Sequence, residues 1–72
     1  MTFLPLPQTE AVAFDAVVEA CPFPITRDRI VAHCRDESRT ITPAMVDAAL
    51  ARMTAAGRIE QAGATSYRLG PQ

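Results

Sequence analysis

The side chains able to do covalent or acid–base chemistry in this chain are few: Cys21, His33, Cys34 and the adjacent pair Asp36 and Glu37. A thiol becomes a working nucleophile when a base lies within hydrogen-bond reach of it. His33 and Cys34 are sequence neighbours, and neighbouring side chains on a helix diverge by about 100°, so they form no such pair. A structural zinc site asks for four Cys or His ligands in paired spacing, which two cysteines and one histidine do not supply. No glycine-rich phosphate loop and no histidine pair occurs. Asp36 and Glu37 read as the end of a helix rather than an acid–base dyad. The expectation is a protein that is not an enzyme, with no catalytic, cofactor-binding or metal-ligating residues.

The charged side chains offer recognition rather than reaction. All seven basic residues are arginines, and there is no lysine. Arg27, Arg29, Arg39, Arg52 and Arg58 stand where they could touch phosphate. They read more readily as solvated surface charges, several of them paired with Asp28, Asp36, Asp47 or Glu60. Residues 1–26 hold three acids and no base, giving −3, and residues 27–72 hold seven arginines against five acids, giving +2; the net charge is −1. A dedicated nucleic-acid-binding domain of this size carries a clear basic surplus. Phe3, Leu4 and Leu6 offer a different kind of contact. They lie among Pro5 and Pro7, which fix φ and discourage helix before them, so residues 1–8 are expected to form an extended apolar arm. Such an arm either folds back on the core or docks on a partner.

These side chains must be positioned by a single domain, expected over residues 9–70, because 72 residues can bury only about 60% of their unfolded surface. The composition, 49% hydrophobic and 21% charged, is that of a globular chain. The first seven residues lack the basic and long apolar regions of a signal peptide, and no segment reaches the roughly 20 apolar residues of a membrane span. A cytoplasmic protein with Cys21 and Cys34 as free buried thiols is expected.

Thr9 is predicted to cap a first helix, with Glu10 in its first turn and Ala11, Phe14, Val17, Val18 and Cys21 on its buried face. Pro22 and Pro24 stop it. Thr26 is placed to cap a second helix that buries Ile30, Val31 and Cys34, with residues 36–40 as the connection. The third helix, over residues 43–56, has the clearest start. Thr42 caps it, Pro43 occupies its first position, and Ile41 and Val46 are spaced as a hydrophobic staple. Val46, Ala49, Leu50 and Met53 form its inward face, and Gly57 closes it in a left-handed conformation. Apolar residues then alternate at Ile59, Tyr67 and Leu69 around a turn over residues 62–65, which predicts a β-hairpin.

Three helices followed by a C-terminal β-hairpin, an α+β fold, resemble the winged-helix variant of the helix-turn-helix family. The match rests on Val46, Leu50 and Met53, then Gly57, Arg58 and Ile59, then Tyr67, Arg68 and Leu69. The resemblance implies a third helix that reads duplex DNA, yet its outward side would be Ala44, Asp47, Ala48, Ala51, Arg52 and Ala55. Base edges are read by Arg, Lys, Asn and Gln. Alanine holds four of these six positions, and Asp47 repels phosphate. The predicted wing, residues 61–66, has no arginine or lysine for a minor groove. Two readings follow. In the first, a small transcription-associated regulator, similar in size and build to phage-type or bacterial regulators that bind RNA polymerase, acts mainly by protein contact through Phe3, Leu4, Leu6, Ala44, Asp47, Ala48 and Ala51. In the alternative, the same scaffold binds duplex DNA through Arg27, Arg29, Arg39, Arg52 and Arg58.

Overall fold

A computed structural model describes residues 5–70, with side chains from Gln8 onward. The elements follow in the order α1 (Pro5–Ala20), β1 (Ile25–Thr26), α2 (Arg27–Glu37), α3 (Pro43–Ala55), β2 (Ile59–Gln61) and β3 (Ser66–Leu69). The three strands form one antiparallel sheet in the order β1-β3-β2. The fold is α+β, and its arrangement is compatible with a winged helix.

The start of α1 corrects the expected arm. The helix begins at Pro5, not at Thr9, so residues 5–8, Leu6 among them, form its first turn. The first turn is where a helix tolerates proline, because its amides have no intrahelical acceptor to lose. Thr9 is buried inside the helix instead of capping it, and Glu10 lies beyond the first turn. Phe3 and Leu4 fall outside the described residues.

The buried face of α1 is also rotated from the expected one. Thr9, Ala13, Ala16 and Val17 are buried. Ala11, Val18 and Cys21 are exposed, and Phe14 is half-buried. The helix presents its small residues inward, and α1 lies against both α2 and α3; alanine permits that close approach to two neighbours at once.

Helix α2 starts as expected. Thr26 Oγ1 accepts the Arg29 backbone N–H at 3.3 Å, and Ile30 and Cys34 are buried. Thr26 is also the last residue of β1, a two-residue strand that the alternation pattern did not reveal. Ile25 pairs with Tyr67 and Thr26 with Ser66. The Arg27 amide continues the ladder by donating to the Thr65 carbonyl at 2.7 Å.

Helix α3 carries the expected cap. Thr42 Oγ1 accepts the Met45 N–H at 3.2 Å, Pro43 is the first residue, and the flanking Ile41 and Val46 are both buried. The Met45 sulfur in turn accepts the Thr42 N–H at 3.5 Å, filling the place a Glu or Gln takes in a capping box. The helix ends at Ala55, with Ala56 as its C-cap. Gly57 follows at φ +78°. Its N–H donates to Thr54 O at 3.1 Å and that of Arg58 to Met53 O at 3.0 Å, a Schellman closure. A Cβ at Gly57 meets nothing, so Gly57→Ala is expected to cost only its backbone strain, about 1 kcal/mol, read as a lowered urea midpoint with an unchanged slope.

The hairpin pairs Ile59 with Leu69, Glu60 with Arg68 and Gln61 with Tyr67. Ile59 is fully buried, while Tyr67 and Leu69 are half-buried against the core. Gly70 closes the open end by donating to Arg58 O at 2.9 Å. It passes so near the Gly57 carbonyl that a Cβ there would collide with it.

Cys34 is buried as expected, but Cys21 is exposed, just past the end of α1. Burial pushes the Cys34 thiol pKa up, and the Glu37 carboxylate adds to the rise. Its contribution to stability is therefore whole below the ordinary thiol range and lost as pH rises through the folded value. A thiol reagent is expected to titrate one fast thiol in the native protein and the second only on unfolding. Cys21→Ser should remove the fast phase.

Candidate functional site

The outward side of α3 is the expected one. Ala44, Asp47, Ala48, Ala51, Arg52 and Ala55 are all exposed. What surrounds them is not what isolated surface arginines would give. Arg27, the first residue of α2, reaches across to Asp47 with both prongs of its guanidinium: Nε donates to Oδ1 at 2.9 Å and Nη2 to Oδ2 at 2.8 Å. Nη1 also lies 3.3 Å from Asp28 Oδ1. This fork geometry is the strong form of an arginine–carboxylate contact. The hydrogen bonds from Arg27 hold the Asp47 carboxyl below the usual carboxylate range, with partial desolvation opposing them. The same bonds hold the Arg27 proton more firmly.

A second cluster forms at the other end of α3. Glu10 of α1, with its side chain 20% exposed, accepts from Arg52 Nε at 3.0 Å and lies 3.9 Å from Arg58 Nη1. The Arg58 guanidinium also sits over the Phe14 ring, 4.5 Å from its centroid, where the ring quadrupole attracts it. On the hairpin, Arg68 Nε meets Glu60 Oε2 at 2.5 Å across the strand pair.

Of the five arginines expected as phosphate contacts, Arg27 is thus paired with Asp47, while Arg52 and Arg58 share the one carboxylate of Glu10. Arg29 and Arg39 are exposed and form no ion pair among the described residues. The turn of the hairpin is held by its own atoms, with Gln61 Nε2 donating to Ala64 O at 3.1 Å.

The role of Glu10 was not visible in the residue pattern. Its partners lie more than 40 positions away on other elements, and no local spacing announces them. His33 and Cys34 diverge as helical geometry requires: Cys34 enters the core, and His33 lines an open groove between α1 and α2 beside Glu19 and Asp36. Among the described residues, no three His, Cys, Asp or Glu side chains converge as metal ligands, and no helix is long and apolar enough to cross a membrane. Comparison of the chain with protein-family models, with curated proteins and with solved structures found no match.

Proposed function

We propose that this chain is a small, non-catalytic regulator associated with transcription, working on a winged-helix frame mainly through protein–protein contact. The outward side of α3, with Ala44, Asp47, Ala48 and Ala51, is its docking surface. One observation carries the reading: the arginines nearest that surface are engaged by Asp47 and Glu10 and offer less positive charge to a phosphate backbone than unpaired guanidinium groups would. An alanine row beside a neutralised ion pair suits a flat protein surface or a helix at close range. The competing duplex-binding reading retains Arg29 and Arg39, which form no ion pair among the described residues.

The test is affinity capture with the native chain and with Ala48→Glu/Ala51→Glu, alongside an amide titration with duplex DNA at about 50 mM salt, where even non-specific binders hold. The expected result is a stoichiometric component of the transcription machinery retained by the native chain, lost from the variant, and no DNA-induced shifts on α3. Shifts of α3 and hairpin amides by duplex, with no protein retained, would overturn the proposal.

A further inference from the structure

An open groove of about 680 Å3 lies between the C-terminal part of α1 and the length of α2. Its apolar surface is built from small residues, Ala16 and Ala20 of α1 and Ala32 of α2, with Ile25 joining them from β1. Glu19 stands on the α1 wall and Arg29 on the α2 wall. Both are exposed, and neither forms an ion pair among the described residues. Asp28, beside Arg29, is already held by Arg27.

Phe23 lies next to this groove in the chain without lining it. Ala20 and Ile25, on either side of it in sequence, both line the groove, yet Phe23 itself is 71% exposed. The turn that presents it is stiff. Its N–H donates to Ala20 O at 2.9 Å, and Pro22 and Pro24 fix φ on both sides. An exposed aromatic ring held in place is the kind of side chain that anchors an interface.

We propose that this face pairs with a second copy of the chain about a two-fold axis along the groove. Each copy seats its Phe23 on the Ala20–Ile25 end of the other. The pairing goes beyond the α3 reading and does not depend on it. Shape and charge both select a copy over a foreign partner. Ring and groove adjoin, so two copies exchange rings and the contact closes as a dimer, whereas a ring on a distant face would build an open chain. Rotation about that axis also sets the α1 wall of one copy against the α2 wall of the other, and Glu19 meets Arg29 of the second copy twice over. A basic segment would be opposed by Arg29 and an acidic one by Glu19, so neither gains from both walls. The net charge of −1 adds little repulsion between copies.

Sedimentation velocity of the full chain from about 1 μM to about 1 mM is expected to show a monomer–dimer equilibrium and no larger species. Phe23→Ala should weaken the dimer at least about tenfold, with an unchanged circular dichroism spectrum because the side chain is exposed. Glu19→Arg and Arg29→Glu should each weaken it about tenfold, since one variant then carries bases on both walls and the other acids on both. Mixed in equal amounts, these two variants should regain the native affinity as a heterodimer, which a contact made within one chain would not allow. Ala48→Glu/Ala51→Glu should leave association unchanged, which separates this face from that of α3. A monomer at every concentration, association indifferent to Phe23→Ala, mixing without recovery, or growth into larger species would overturn the proposal.

Discussion

Leu50→Ala is expected to destabilise the fold by about 2–5 kcal/mol, the upper end of which would leave a large fraction of the protein unfolded at room temperature. Leu50 is 2% exposed on the inward face of α3, within a core that also takes Val17 from α1, Ile30 from α2 and Ile59 from β2. Removing three carbon-bearing groups there forfeits their transfer from water and leaves a cavity that helices packed through alanine have little freedom to close. A domain of this length has a stability near the low end of the usual 5–15 kcal/mol, so the loss is a large part of the whole. Urea unfolding followed by circular dichroism is the measurement. Ala51→Ser, on the exposed side of the same helix, should change stability by no more than about 0.5 kcal/mol. Equal effects of the two substitutions would contradict the assignment of the faces.

Removing the carboxylates that hold the arginines should have the second large effect. In Glu10→Gln/Asp47→Asn the net charge passes from −1 to about +1, and Arg27, Arg52 and Arg58 lose their main partners. Each phosphate contact contributes about −0.9 to the slope of log affinity against log salt. Two or three released guanidinium groups should therefore raise non-specific duplex affinity about tenfold at 50 mM salt, with a steeper salt dependence. Anisotropy of a labelled duplex at two salt concentrations reads both quantities. The fold should lose little, because partly exposed ion pairs are worth about 0–1 kcal/mol. An unchanged affinity would mean that the carboxylates are not what keeps these arginines from phosphate.

The contrast between α3 and α1 explains how much of this molecule could be read from its residues. Helix α3 announces itself locally: Thr42, Pro43 and the Ile41–Val46 staple fix its start, and Gly57 its end, all within a few residues of what they control. The beginning of α1 is not legible in the sequence because proline breaks a helix everywhere except in its first turn, and only the chain's course tells which applies to Pro5 and Pro7. Its buried face is equally hard to read because both sides are apolar, and the larger residues Phe14 and Val18 outweigh Ala13 and Ala16 when size alone is compared. Proximity between helices reverses that weighting. Strand β1 is two residues long and shows no period. The outward residues of α3 were legible from helical geometry, whereas the Arg27–Asp47 and Arg52–Glu10 pairs depend on tertiary placement across 20 and 42 positions.

The double use of Thr26 has a consequence for how the molecule opens. Its backbone belongs to the sheet, its hydroxyl caps α2, and the next amide is bonded to Thr65. Detaching the tip of β3 therefore strips the first turn of α2 of its anchor, and through Arg27 loosens the hold on Asp47. Hairpin and helix start form one cooperative unit, so whatever stiffens the wing also slows hydrogen exchange at the head of α2.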